Sequence, residues 1–313
     1  MDSRAALALL ALPGVGRKTV LHPRTRALPW RFPLEPGFTA PGLPPRLLQA
    51  LADHDAVARA NDEADALYLR LEVLGARAVV LGNGDYPTLL ARIPDPPPVL
   101  FLQGPTPAPR ALAVIGTLTP TPAGLKTAER ITAHFAELGW TIVSGLARGI
   151  DAVAHRTALA VGVPTVAVLA HGLDSTYPPE HAELREKILA AGGTLLSEYP
   201  PGVGAKAHQF IVRDRLQAGL SVGVVCVQSG LQDGALHACR AALRQKRLLL
   251  APLPAPPDRH AGVAAGSLRL HADAHGFLGV PTGQVLPFTG REDYVRLERT
   301  LDAALAAHQE THP

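Results

Sequence analysis

Short apolar runs alternate with segments of helical length from residue 111 onward, and this alternation constrains the fold more than any other feature of the 313-residue chain. The runs cover residues 111–115, 141–143, 165–169, 194–196, 222–227 and 248–251. The helical segments between them cover residues 125–138, 152–161, 179–191 and 236–244. Such alternation is typical of a mostly parallel sheet with helices on its faces. The sequence therefore predicts an α/β fold that binds ligands beyond the carboxyl ends of its strands.

A glycine turn follows the second of these strands and carries a cation. Gly145 and Gly149 allow the backbone to come close to a ligand, and Arg148 adds a positive charge beside the free N–H groups of the next helix. The pattern favours a phosphate-binding turn, and a close-packed strand-to-helix turn is the alternative. We expect Asp151 to cap the helix and His155, one turn later, to hydrogen-bond back to Asp151.

A second glycine turn, Gly14-Val15-Gly16, precedes Arg17 and Lys18 near the start of the chain. It resembles the hairpin of a helix-hairpin-helix element, whose backbone N–H groups bind a DNA phosphate while the two cations supply the opposite charge. An ordinary tight turn between two helices is the alternative. A nucleotide-binding P-loop is excluded because the Gly-Lys-Thr order is absent.

Cations and an aromatic ring occur together in the segment that precedes the strand at 222–227. Lys206, Phe210, Arg213 and Arg215 lie within ten residues of one another. Cations with a nearby aromatic ring suit single-stranded nucleic acid, whose backbone is neutralised while its bases stack. The alternative is a solvated helix face on which Asp214 pairs with one of its two neighbouring arginines. The net charge of +3 permits a nucleic-acid partner without requiring one.

The sequence predicts neither a metal site nor a cofactor. Its possible metal ligands are His155, His171, His181 and Asp174. Their spacing matches no compact ligand set, and Cys226 and Cys239 are the only cysteines, too few for a zinc cluster or a disulfide framework. We therefore expect a chain that works in the reducing cytoplasm. We also expect no signal peptide and no membrane span, because the first apolar run, residues 5–12, is short and no run approaches about 20 residues.

Several motifs in the expected order make residues 75–252 resemble the DNA-processing protein DprA (Smf) family. These motifs are Gly84-Asp85-Tyr86-Pro87; Asp95-Pro96-Pro97 with Val99-Leu100 and Gly104; Ser144 to Asp151 with His155; Gly172-Leu173-Asp174 with Tyr177-Pro178; Leu196-Ser197-Glu198-Tyr199-Pro200; and Phe210, Arg213 and Arg215 ahead of Ala218-Gly219-Leu220-Ser221. The resemblance implies a Rossmann-like domain that serves as a DNA groove, usually in a dimer.

What the resemblance implies is a binding protein and not an enzyme. Such a protein coats and protects single-stranded DNA, helps to load the RecA recombinase onto it, and acts in natural transformation or recombinational repair. Carried over by position, the groove residues are Arg148, Lys206, Arg213 and Arg215, with Gly116, Gly145 and Gly149 allowing close approach of the backbone.

Two positions depart from the family pattern. Leu118 stands where the family carries an arginine, and Asp214 stands where it usually carries an asparagine. Two alternatives to DNA binding therefore stay open: a nucleotide-binding sensor on the same scaffold, and a partner-binding paralogue that has lost DNA binding. A phosphoribohydrolase is excluded because the Pro-Gly-Gly-x-Gly-Thr run is absent.

The resemblance and the composition together divide the chain into three parts. Residues 1–72 form a small N-terminal helical module of the helix-hairpin-helix (SAM-like) kind, interrupted by a proline-rich stretch. Residues 73–257 form the Rossmann-like domain. Residues 258–313 either complete that domain or form a short helical tail, with a helix expected over 293–308.

Overall fold

A computed structural model describes residues 1–310, and within them nine strands form one sheet. The strands are β1 (Ala76–Val80), β2 (Val99–Gln103), β3 (Ala111–Ile115), β4 (Thr141–Ser144), β5 (Thr165–Leu169), β6 (Thr194–Ser197), β7 (Gly223–Cys226), β8 (Leu248–Pro252) and β9 (Val285–Phe288). Strands β3, β5 and β8 are buried along their whole length. Their continuous apolar sequences are explained by helices on both faces of the sheet.

The strand order is β1-β2-β6-β5-β4-β3-β7-β8-β9. The β1–β2 and β2–β6 pairs are antiparallel, and all other pairs in the described part of the chain are parallel. From the central β3 the chain runs to β4, β5 and β6 on one side and later to β7, β8 and β9 on the other. The predicted mostly parallel, Rossmann-like α/β fold is confirmed. A reversal of this kind opens a crevice at the carboxyl ends of the strands on either side of it.

Twelve α-helices accompany the sheet within residues 1–310. They are α1 (Ser3–Ala11), α2 (Arg17–Val20), α3 (Pro23–Arg26), α4 (Pro45–Ala52), α5 (His54–Val73), α6 (Pro122–Glu137), α7 (Ile150–Ala160), α8 (Ala182–Ala190), α9 (Ala207–Gly219), α10 (Ala235–Arg244), α11 (Ala265–Leu278) and α12 (Tyr294–Glu310). Side-chain oxygens of Asp2, Asp53 and Thr121 accept backbone N–H bonds at the starts of α1, α5 and α6.

The N-terminal helices share a hydrophobic core with the sheet. Leu9, Leu47 and Leu51 are fully buried in the same cluster as Phe101 of β2 and Leu169 of β5. The predicted helices of residues 1–72 are therefore present, and they cover one face of the sheet. The division of the chain at residues 72 and 257 stays a prediction.

The C-terminal segment contributes one strand and two helices. Strand β9 pairs in parallel with β8, and α12 buries Leu297, Leu301 and Leu305 in a cluster that contains Leu250. The sequence predicted α12, but α11 and β9 were missed because their glycine- and alanine-rich surroundings show no clear periodicity. Among residues 1–310, no helix is both long and apolar enough to cross a membrane.

Candidate nucleic-acid interface

A cleft of about 780 Å³ opens beyond the carboxyl ends of β3, β4 and β7. We call it the strand-end cleft, and its walls include Gly116, Thr117, Leu118, Arg148, Asp151, Tyr177, Pro178, Phe210, Arg213, Asp214, Gln217, Asp233 and Ala238. It lies where the strand order reverses, which is where open α/β sheets bind their ligands. Its size is in the range of small-molecule and cofactor sites, which is enough for a nucleotide.

Three glycines near the cleft are required by the packing of the protein itself. A Cβ atom at Gly116 would lie 2.6 Å from Ile150 Cγ1 and 2.7 Å from the Gln228 carbonyl oxygen. At Gly145 it would overlap the guanidinium of Arg213, and at Gly149, where φ is 74°, it would overlap the carbonyl oxygen of Thr117. Close-packed turns thus account for these glycines, and their role in DNA approach stays a prediction.

Arg213 ties the turn after β4 to helix α9 and strand β5. Its side chain is 4% exposed, and its Nη1 donates to the carbonyl oxygens of Gly145, at 2.8 Å, and Val168. Its Nε lies 3.2 Å from Asp214 Oδ1. The Arg213–Asp214 partnership is therefore confirmed, but the interpretation of these two residues as a solvated helix face is wrong because both are buried.

Asp151 holds the glycine turn and does not cap α7. Its Oδ2 accepts the N–H of Gly145 at 3.1 Å, whereas the N-cap of the helix is Gly149. The expected His155–Asp151 hydrogen bond is also wrong, because His155 Nδ1 lies 2.9 Å from Thr165 Oγ1. Burial lowers the pKa of His155 to about 3 and raises the pKa of Asp151. His155 is therefore neutral at physiological pH.

The other histidines considered as metal ligands are also occupied by structural hydrogen bonds. His171 Nδ1 lies 2.9 Å from the Gly172 carbonyl oxygen, and His181 Nδ1 lies 2.8 Å from the Leu146 carbonyl oxygen. Within the described range 1–310, no group of three or more histidine, cysteine or acidic side chains is arranged to hold a metal ion.

The rim of the strand-end cleft combines exposed cations with aromatic rings. The Arg148 side chain is 65% exposed and paired with the exposed Glu180. Lys206 is exposed and sits between two alanines of the cleft wall. The Phe210 ring lies 5.4 Å from the exposed Tyr177 ring, centroid to centroid. The rim thus offers charges for phosphates and flat apolar surfaces for bases.

Leu118 makes part of the same rim apolar. It follows β3 and is 60% exposed. The resemblance leads us to expect an arginine at this position, and the chain instead presents a hydrocarbon surface there.

Arg17 and Arg215 lie in an ion-pair cluster outside the cleft walls. Arg215 contacts Glu198, at 2.6 Å, and Asp95, at 2.7 Å, while Arg17 lies 3.5 Å from the same Glu198. Because Arg215 follows Arg213 by two residues, it is rotated by about 200° around α9. Both arginines are neutralised by carboxylates. Lys18, the neighbour of Arg17 in α2, is exposed.

The sequence analysis singled out Asp214 but missed Gln217, with which it forms the polar floor of the cleft. Asp214 and Gln217 both line it, and Gln217 Nε2 donates to Asp214 Oδ1 at 3.0 Å. Helical spacing was the available signal, because Phe210, Arg213, Asp214 and Gln217 fall on one face of α9 at intervals of three and four residues.

The buried Asp214 makes stability depend on pH. Burial raises the pKa of Asp214 to about 7. The nearby Asp151 carboxylate also raises this pKa, whereas the Arg213 guanidinium lowers it. The buried Cys239 thiol is a further neighbour of the carboxylate. This pKa lies above the ordinary value, so the folded chain binds the extra proton between about pH 4 and pH 7. The stabilisation that this proton gives to the folded chain is present at low pH and is lost as the pH rises through 7.

We expect the free energy of unfolding of the native chain to fall by about 2 kcal/mol more than that of Asp214→Asn between pH 5 and pH 8. Asparagine has no proton to release in this range. Urea denaturation at the two pH values measures the difference, and parallel pH profiles for the two proteins would contradict the assignment.

Comparison with known proteins places the chain among DNA-processing proteins. A family model described as DNA recombination-mediator protein A matches residues 77–278. Protein Smf of Synechocystis is 42% identical over 183 residues, which cover 56% of this chain and 45% of that protein. DNA processing protein DprA of Bacillus subtilis is 35% identical over 191 residues, covering 60% and 64%. The chain thus spans about half to two thirds of the length of these relatives.

Two solved structures share the architecture. DNA processing protein A from Streptococcus pneumoniae superposes with a TM-score of 0.62 and 26% identity, covering 80% of this chain and 84% of that one. DNA processing protein A from Helicobacter pylori, which was described for its single-stranded DNA binding mode, superposes with a TM-score of 0.56 and 25% identity, covering 74% and 97%.

Proposed function

Because this chain belongs to the DNA recombination-mediator protein A (DprA/Smf) family, we propose that it binds single-stranded DNA in the strand-end cleft and acts by binding, without catalysis. The observation that carries the proposal is the exposed rim, where Arg148 and Lys206 accompany the Tyr177–Phe210 ring pair. The binding mode ascribed to the Helicobacter pylori relative supports the same ligand.

The rim divides recognition between charge and stacking. Phosphates bind Arg148 and Lys206, and the bases stack on Tyr177, Phe210 and the hydrocarbon of Leu118. Arg148 must exchange Glu180 for a phosphate. This exchange costs little because both side chains are about half exposed or more, so water screens their attraction.

Arg213 and Arg215 enter the proposal in different ways. Arg213 shapes the cleft wall and contributes a positive field from a fixed position, since backbone carbonyls hold its guanidinium. Arg215 and Arg17 already have carboxylate partners. We therefore propose that Arg148 and Lys206 make the main phosphate contacts, and that Arg17, Lys18 and Arg215 contribute less.

We further propose that the bound strand is protected and passed to RecA, and that the chain works as a homodimer in natural transformation or recombinational repair. The description of the family as recombination mediators supports this. The test is RecA filament formation on DNA coated with single-strand-binding protein, followed by RecA-dependent ATP hydrolysis. Equal rates with and without this chain would refute the mediator role.

The DNA site is tested with Arg148→Ala combined with Lys206→Ala. We expect the affinity for a fluorescent single-stranded oligonucleotide to fall about ten-fold or more, because two charged contacts are lost. The slope of log affinity against log salt should decrease by about 1.4, since each phosphate contact on a single strand contributes about 0.7. Fluorescence anisotropy across a salt series measures both quantities.

The matched control is Arg291→Ala with Arg299→Ala, which removes two exposed cations that do not line the cleft. It should leave the salt slope within error of the native value. An equal loss in both double variants would mean that net charge, and not this rim, holds the strand. Absence of binding by the native chain at low salt would instead favour the partner-binding alternative, and heat on titration with a mononucleotide would favour the sensor.

A further inference from the structure

The carboxylate of Asp214 is only partly used by the protein. Its Oδ1 accepts from Arg213 Nε at 3.2 Å and from Gln217 Nε2 at 3.0 Å. Its Oδ2 has no hydrogen-bond partner among residues 1–310, and the side chain, which is 11% exposed, lines the strand-end cleft. A carboxylate in a cleft with a free oxygen is an acceptor available to a ligand.

Gln217 fixes the orientation of this carboxylate. Its amide nitrogen must face Asp214, because the opposite orientation would place the amide oxygen against a carboxylate oxygen. Its Oε1 is consequently buried with no hydrogen-bond partner in the described structure. Gln217, which is 2% exposed, is thus a positioning residue. The floor of the cleft therefore offers acceptors, and its nearby donor, Arg213, is held by the protein.

Building on the proposed DNA site, we propose that the strand-end cleft selects guanine, whose N1–H and N2–H₂ groups both donate to the free Oδ2 of Asp214. The Watson–Crick edge of guanine is the one that presents two adjacent donors. Adenine and cytosine place an acceptor nitrogen beside their amino group, and thymine has a single N–H between two carbonyl oxygens. Unpaired bases are commonly recognised on this edge while they stack on aromatic rings.

The aspartate at residue 214 gives the preference its chemical origin. Asparagine in the same position keeps one oxygen for Arg213 and Gln217, but it replaces Oδ2 with an NH₂ group. That group would meet the donors of guanine with donors of its own. The aspartate therefore converts a site of mixed polarity into one that accepts only, while the Tyr177–Phe210 pair supplies a stacking surface for any base.

The test compares oligonucleotides of about 12 thymines in which one central residue is guanine, inosine, adenine or cytosine, a length within the span of common single-strand sites. At pH 8 the native chain should bind the guanine strand about ten-fold more tightly than the adenine or cytosine strand. Inosine lacks the N2 amino group and should bind with intermediate affinity. This comparison requires no variant protein.

Asp214→Asn should remove the guanine preference while it retains binding to the all-thymine strand. Asp233→Asn is the matched control: it removes the same charge from the same cleft, where Asp233 Oδ2 accepts the Gly230 N–H at 2.8 Å. We expect this variant to bind every strand somewhat more tightly and to keep the preference for guanine.

Equal affinity of the native chain for all four central bases would overturn the guanine inference and leave the DNA site standing. The inference would also fall if Asp214→Asn kept the preference, or if cytosine were preferred over guanine. Absence of binding to any strand, the all-thymine strand included, would refute the proposed function itself. The two failures are therefore distinguishable.

Discussion

Arg213→Ala is expected to lower the free energy of unfolding by about 3–5 kcal/mol, the usual cost of removing one partner of a buried ion pair. The guanidinium is buried against Asp214 and against the carbonyl oxygens of Gly145 and Val168. Its removal takes one donor from each of these carbonyls and leaves Asp214 without its counter-charge. Chemical denaturation at pH 8 measures the loss, and a smaller loss is expected at pH 6, where Asp214 is protonated.

Lys206→Ala is the control for this substitution. Lys206 is exposed at the start of α9, so its removal should change stability by at most about 0.5 kcal/mol while it weakens DNA binding. The two substitutions should therefore change different measurements: Arg213→Ala mainly lowers the free energy of unfolding, and Lys206→Ala mainly lowers the affinity for DNA. A loss below about 1 kcal/mol for Arg213→Ala would contradict the structural role of this guanidinium.

Gly149→Ala is expected to cost about 3 kcal/mol or more, or to prevent folding. The φ of 74° is unfavourable for alanine, and the new Cβ would overlap the carbonyl oxygen of Thr117 and lie 2.7 Å from the carbonyl carbon of Leu118. The loop cannot yield easily, because the same Thr117 oxygen accepts the N–H of Ile150 at 3.2 Å. Thermal or urea denaturation measures the loss.

Gly162→Ala isolates the backbone contribution. Gly162 follows α7 with a φ of 76°, and apart from its two chain neighbours no atom of residues 1–310 lies within 4 Å of its added Cβ. We expect a cost of about 1–2 kcal/mol, which is the left-handed penalty alone. The difference between the two variants is then the steric cost of the contact between the turn and the end of β3. Equal losses would mean that Thr117 and Leu118 move aside without penalty.

The glycine turn at residues 144–151 illustrates how a binding motif can be built from packing. The sequence analysis assigned Gly145 and Gly149 to ligand approach, yet each accommodates a neighbouring part of the protein: Arg213 in one case and Thr117 in the other. These contacts line up the turn with the cleft that we propose as the binding site. Stability and binding therefore depend on the same residues, and variants must be checked for folding before affinities are compared.

The strands and their covering helices were predictable from the sequence by itself. Runs such as residues 111–115 and 165–169 became buried parallel strands, because continuous apolar residues require cover on both faces. The same alternation predicted a binding cleft at the strand ends, and the motifs indicated the family. Strand β9 and helix α11 escaped prediction, because they depend on pairing with β8 and on packing against residues far away in the chain.

Only the tertiary structure decided which cations face the strand-end cleft. Arg213 and Arg215 are alike in the sequence, but they point to opposite sides of α9. One binds buried carbonyls and Asp214, and the other binds Glu198 and Asp95. The local sequence shows which residues are charged and how they are spaced along a helix. Which of them are buried, and which distant carboxylates they contact, depends on segments tens of residues away. For that reason the sequence could suggest the pairing of Arg213 with the adjacent Asp214, whereas the contacts of Arg17 and Arg215 with Asp95 and Glu198 emerged only from the fold.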